Sequence, residues 1–312
     1  MADYLIFIET AAMKVFLSLA IAGICMFTLS SFNKPKKITL QELRTQIMNI
    51  LDSQQGTFAV AFKYITSNET LLINEHENFH AASTMKTPVM IEVFKQAKEH
   101  KFSMDDSIVV KNEFKSIADS SLYSLNPADD SEQELYKHIG EKRTISSLVY
   151  DMIIASSNLA TNIMIELVNA KNIMATMQKF GAKDIRVLRG VEDSKAFEKG
   201  LNNTTTAYDL MLLFDKMARG KMVSKNACDA MIKILLDQKF NEIIPARLPK
   251  EVKVAHKTGF ITGVHHDSGI VFLPDGKKYV LVLLSKGWTD EATIINAMAK
   301  VSELTYQYAK QF

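Results

Sequence analysis

The chain has 312 residues, 47% of them hydrophobic and 23% charged. These are globular values, long enough for one large domain or two modest ones around a substantial core. The formal net charge is only +2, and lysines and acids are interspersed, so no long-range field points to nucleic acid or an anionic membrane as partner.

The N-terminus departs from this pattern. From Val15 to Leu29 the residues are apolar apart from Ser18 and Thr28, with Lys14 before them and Lys34, Lys36 and Lys37 after. Such a run predicts an export leader over 1–33, with Met13 a more natural start than Met1. It is short for a membrane span, and an uncleaved anchor is the alternative. Cys25 follows Ile24, where a lipoprotein site would want a small residue, so no lipid anchor is expected. With the leader gone Cys228 is the only cysteine and has no internal partner, and it reads as a buried small hydrophobe.

Thr39-Leu40-Gln41-Glu42 reads as a capping box opening a helix, with Leu43, Ile47 and Ile50/Leu51 on its apolar stripe. Thr57 to Thr66 and Thr70 to Asn74 read as a hairpin across Ser67-Asn68-Glu69. A helical pattern starts at Ser83, with Met90, Val93, Phe94 and Ala97 on one face and Pro88 tolerated near the first turn. From about Phe102 to Lys250 the pattern is mostly helical, interrupted by a polar stretch from Ser116 to Arg143. Strand periodicity returns in Val252 to Phe260, Val264 to Leu273 and Tyr279 to Leu284, before a last helix from about Thr289.

Helix and strands at both ends enclosing a helical middle predict an α/β (α+β) protein. Its five-stranded antiparallel sheet, flanked by the N- and C-terminal helices, would carry an inserted all-helical lobe. The expected boundaries are 38–82 and 251–312 for the α/β lobe and 83–250 for the helical one, together a single catalytic domain. A ligand site is expected in the cleft between the lobes.

Three short motifs carry chemistry. In Ser83-Thr84-Met85-Lys86 the serine and lysine are three apart, on one face of a helix. A serine hydroxyl is a poor nucleophile until a base takes its proton, and Lys86 can be that base only where desolvation or a nearby cation such as Lys257 favours the neutral amine. Backbone amides at the helix start suit an oxyanion. Ser156-Ser157-Asn158 falls between two helical patterns, and a break there would turn Ser156 and Asn158 into one space. Lys257-Thr258-Gly259 lies in a strand whose edge, lining the cleft, would offer a lysine and a hydroxyl to a substrate carboxylate and backbone to a substrate laid alongside. Each motif alone has an ordinary structural explanation: an N-cap serine, an inter-helix cap, a solvated edge strand.

The set and its order resemble the penicilloyl serine transferases, and within them class A β-lactamases. The resemblance spans roughly Ile38 to Phe312. It includes Asn162, four residues after Asn158, then His256 beside the third motif and Gly263, and Asp267-Ser268-Gly269-Ile270-Val271 in the next strand. It departs from the family at Ser157, where the pattern has an aspartate. The resemblance implies a bacterial serine hydrolase, periplasmic or secreted, that opens a β-lactam ring through an acyl-enzyme on Ser83. A peptidase or esterase on the same scaffold, or a sensor that stays acylated, are the alternatives. By resemblance the amides of Ser83 and Phe260 form the oxyanion hole, Lys86 and Ser156 shuttle protons, and Asn158 holds the substrate's side-chain amide. Lys257 and Thr258 hold its carboxylate, with Gly259 beside them.

In class A enzymes a loop glutamate, followed four residues later by an asparagine, positions the deacylating water. Glu192 has the right distance before Thr204-Thr205-Thr206, but its fourth neighbour is Ala196. Glu198 has Asn202 as fourth neighbour but lies too near the threonines. Glu192 is favoured, with Glu198 as the alternative. Tyr123 is placed in the cleft wall by analogy. His265 and His266, adjacent on a strand, point to opposite faces and read as structural. No cofactor or metal is expected, and the chain is expected to be a monomer.

Overall fold

The computed structural model describes residues 37–312, and the segment Ile38–Phe312 forms one compact unit. The expected leader over 1–33, with Cys25, lies outside the described residues. Among the described residues no helix is long and apolar enough to cross a membrane.

Helix α1 (Leu40–Leu51) opens on the expected capping box: the Glu42 amide donates to Thr39 Oγ1 at 3.1 Å and the Thr39 amide to Glu42 Oε2 at 2.7 Å. Its buried stripe is Leu43, Ile47 and Leu51. The hairpin follows as β1 (Thr57–Tyr64) and β2 (Thr70–Ile73). After β3 (Phe79–His80) a 3-10 turn over Ala82–Met85 leads into α2 (Lys86–Lys98).

The expectation of a mostly helical 102–250 was too broad. Between α2 and residue 144 the chain makes two small strand pairs, β4 (Ser107–Val109) with β7 (Lys142–Thr144) and β5 (Phe114–Lys115) with β6 (Leu122–Tyr123), besides 3-10 turns at Pro127–Asp129 and Glu134–His138. Side chains stand in for ladder partners in this polar insert. Asn112 donates to the Leu125 carbonyl at 2.9 Å and accepts from its amide at 2.8 Å, an alternative that Asn and Asp offer to helix.

The helices are α3 (Ile145–Ile154), α4 (Asn158–Val168), α5 (Ala170–Phe180) and the short α6 (Ser194–Glu198). After β8 (Thr204–Thr205), which pairs with β3, come α7 (Ala207–Ala218) and α8 (Lys225–Leu236). Residues 237–252 are again irregular. Gln238 bonds the Ile153 carbonyl and accepts the amides of Lys239 and Phe240, while Pro245 and Pro249 cannot continue a helix.

The strands β9 (Lys253–Ile261), β10 (Val264–Phe272) and β11 (Lys278–Lys286) precede α9 (Glu291–Ala309). The five-stranded sheet runs β2-β1-β11-β10-β9, every pair antiparallel, so that strands from both ends of the chain interleave and β9 is an edge. Alternation along the strands feeds two cores. One face, with Phe58, Val60, Phe62, Leu281 and Leu283, packs on α1 and α9 through Leu43, Ile47, Ile294 and Met298. The other, with Ala59, Ala61, Val280 and Val282, joins α7 and the helical region, where Cys228 is buried as expected.

Candidate active site

Edge strand β9 lies against the 3-10 turn that carries Ser83, and this close approach explains Gly259. A methyl group there would sit 3.0 Å from the amide nitrogens of Ser83 and Thr84. Around the contact lies a cleft of about 740 Å³, whose wall includes Ser83, Ser156, Asn158, Glu192, Thr258, Gly259 and Phe260. Lys86 and Lys257 are fully buried behind it. The nine candidates thus converge from four stretches of chain, and Glu198 is left exposed on α6, away from the wall.

Ser156 is the joint between α3 and α4. Its φ of 58° breaks the helix, a conformation unusual for a non-glycine residue and one that clusters at functional sites. Ser157 caps α4 by accepting the Ala160 amide at 3.2 Å, so the cap and the break coexist. Asn158 and Ser156 then reach the same ammonium. Lys86 Nζ lies 2.6 Å from the Ser156 carbonyl, 3.1 Å from Ser156 Oγ and 2.9 Å from Asn158 Oδ1.

Burial lowers the pKa of Lys86 to about 7, with the charges of Asp130 and Glu192 working in the opposite direction. Near pH 7 a substantial share of Lys86 is therefore neutral. A neutral amine satisfies all three contacts by donating to the carbonyl and to Asn158 and accepting the Ser156 hydroxyl proton. Lys257 Nζ approaches the same hydroxyl at 3.1 Å and donates to the Thr258 carbonyl at 2.9 Å. Burial, and after it the charge of Lys86, hold Lys257 well below the ordinary lysine range. The expected coupling of the two lysines is present, and it weighs on Lys257.

Glu192 sits at φ 62°, which turns its side chain into the cleft. Its Oε1 accepts Asn158 Nδ2 at 3.2 Å and its Oε2 the Asn126 amide at 3.1 Å. Burial raises its pKa against these two hydrogen bonds. Asn162 holds the loop before it, donating to the Val191 carbonyl at 3.1 Å and accepting the Val191 amide at 2.6 Å. Ala196, four residues past Glu192, is fully buried and brings no polar group. Asn202 accepts from Arg189 at 3.4 Å, which ties it to the loop's base.

Tyr123 is not in the cleft wall. Its hydroxyl lies under the loop, 3.3 Å from Asn162 Nδ2, and crowds Gly190, where a methyl would come within 2.6 Å of it. The two histidines do diverge. His266 is buried with Nε2 on the His80 carbonyl at 2.9 Å, whereas His265 reaches the cleft wall between Glu242 and Glu291. Among the described residues no cluster of His, Cys, Asp or Glu is placed to hold a metal ion.

Four participants had no signal in the sequence. Asp130 and Ser131 come from the polar insert, and Asn203 ties the Leu188 and Arg189 amides to the Met85 sulfur beneath the nucleophile's turn. His265 is the fourth. Their contacts depend on chain crossings that no local pattern encodes.

A serine, two desolvated lysines, a hydroxyl between them and a nearby carboxylate on an α/β scaffold with a five-stranded antiparallel sheet define a serine acyl-transfer protein. The model of the beta-lactamase enzyme family matches residues 42–309, and the chain belongs to that family. Beta-lactamase VEB-1 of Pseudomonas aeruginosa is 22% identical over 282 residues, 85% of this chain and 90% of the relative. The extended-spectrum beta-lactamase PER-1 of the same organism is 23% identical, covering 91% and 92%. Among solved structures, PBP-A superposes with a TM-score of 0.75 at 25% identity, over 89% of this chain and 99% of that one. The beta-lactamase from Sphaerobacter thermophilus gives 0.74 at 24%, covering 88% and 99%.

Proposed function

We propose that this protein is a serine β-lactamase of the class A type. Neutral Lys86 takes the Ser83 hydroxyl proton as Oγ bonds to the β-lactam carbonyl carbon. The ring C–N bond then breaks, and Ser156, bonded to both lysines, passes its proton to the leaving nitrogen and is reprotonated from Lys86. The amides of Ser83 and Phe260 would carry the oxyanion, Asn158 the side-chain amide, and Lys257 and Thr258 the carboxylate. In the second half a water gives a proton to Glu192 as its oxygen bonds to the ester carbon, the C–O bond to Ser83 then breaks, and the proton held by Glu192 passes to the departing Ser83 Oγ. The observation that carries this reading is the buried Lys86, lowered to about 7, in contact with Ser156 and Asn158 behind the wall that presents Ser83.

One observation favours a slower variant of it, a β-lactam sensor that stays acylated: Ala196 offers no second holder for the deacylating water. Steady hydrolysis of a chromogenic cephalosporin supports the lactamase and a single stoichiometric burst the sensor. No reaction, with no adduct on Ser83 by mass spectrometry, sinks both. The apolar run behind Lys14 supports export to the periplasm or out of the cell. Radiolabelled or mass-identified mature N-termini test the export half of the reading.

A further inference from the structure

The second motif lacks its carboxylate, and the structure has one at the same turn from elsewhere. Asp130, in the polar insert, is 4% exposed. Its Oδ2 accepts the amide of Asn158 at 2.8 Å, the amide of Leu159 at 3.0 Å and the Tyr136 hydroxyl at 2.9 Å, and its Oδ1 accepts the Glu132 amide at 3.1 Å. The neighbouring Ser131 donates to the Ala155 carbonyl at 2.8 Å, on the other side of the same break. Consecutive residues of one loop therefore grip both ends of the strained turn that holds Ser156 and Asn158 against Lys86.

We infer that Asp130 is the positioning residue of this acyl-transfer site, supplied by the insert of the same chain in place of the aspartate that Ser157 replaces. A carboxylate buried with four donors is held in one orientation, and two of those donors are the first amides of α4, whose positive end favours the anion. If the carboxylate is lost, those amides are left without a partner and the Ser156 φ of 58° loses a constraint. The polar insert, otherwise a long detour on the surface, then has a reason to be where it is.

The inference rests on the acylation role proposed for Lys86 and Ser83, and the experiment separates the two. Acylation by a chromogenic cephalosporin is followed by stopped flow across pH for the wild type, Asp130→Asn and the double variant Asp130→Ala/Ser157→Asp. The acid limb reports Lys86, which is faced by Asp130, Glu192 and Lys257 and by the neutral Ser156 and Asn158. Asp130→Asn should acylate about tenfold more slowly at the plateau, as misplacement of a catalytic group does. Its acid limb should move to lower pH, because the charge that favours the Lys86 ammonium is gone. The double variant, with a carboxylate back in the motif, should return the limb toward its wild-type position. Limb position belongs to the folded molecules alone, so it is readable even in a variant that is partly unfolded. A wild-type plateau and limb in Asp130→Asn, or a limb that the double variant leaves displaced, overturns the inference. A wild type that forms no acyl-enzyme overturns the acylation reading instead.

Discussion

Replacing Glu192 by glutamine should convert steady turnover into a burst. Both carboxylate oxygens face donors, Asn158 Nδ2 at 3.2 Å and the Asn126 amide at 3.1 Å. Glutamine has one acceptor and one donor group, so one of those contacts becomes donor against donor, at a cost of about 1–3 kcal/mol. The larger loss is chemical, since a positioned general base contributes roughly 10²–10⁴ in rate. Deacylation should therefore fall by about 10³, which corresponds to about 4 kcal/mol in the barrier. In the proposed mechanism acylation uses Lys86 and Ser156, so it should change by less than about tenfold. Stopped-flow hydrolysis of a chromogenic cephalosporin, with intact-mass detection of the adduct, reads both steps. Glu198→Gln is the control: Glu198 is exposed on α6, and Asn202 is engaged by Arg189. Wild-type steady-state turnover in Glu192→Gln, or a burst in Glu198→Gln, would refute the assignment.

The acylation rate of the wild type should rise with pH through a midpoint near the Lys86 value of about 7, since only the neutral amine accepts the Ser83 proton. Lys86→Arg, which stays charged, should lose that limb and acylate at least about 100-fold more slowly; a normal rate in this variant removes Lys86 from the base role. Gly259→Ala should displace the nucleophile's turn, because the added methyl lies 3.0 Å from two of its amides, and cost about 1–3 kcal/mol in thermal stability along with acylation rate. An unaltered melting temperature and rate would show that the turn can yield. Asn162→Ala should release the loop at Val191 and slow deacylation more than acylation, so that the acyl-enzyme accumulates; equal slowing of both steps would count against a loop-specific role.

Periodicity and turn chemistry act over a few residues, which is why the terminal helices, the hairpin and the three C-terminal strands are legible in the sequence. The capping box at Thr39 and the helix break at Ser156 belong to the same class: each is decided by neighbours within one turn. Motif spacing likewise brought out Ser83, Lys86, Ser156, Asn158 and Lys257, since each motif spans no more than four consecutive residues. The polar insert resisted because its hydrogen bonds run through side chains such as Asn112 and Asp130, whose partners lie 13 and 28 residues away. Tyr123 was misplaced for a related reason, as its burial depends on where the Gly190 loop folds over it.

The terminal helices and strands and the chemical groups available are written in the local sequence. Only the tertiary structure decided their electrostatic state. Lysine and glutamate are ordinary titrating groups in an extended chain, and it is the burial of Lys86 behind the cleft, against the opposing charges of Asp130 and Glu192, that brings its pKa to about 7. Which of Glu192 and Glu198 faces the cleft is likewise a matter of tertiary geometry, because a backbone turned to φ 62° at residue 192 points one carboxylate into the cleft while α6 leaves the other in solvent.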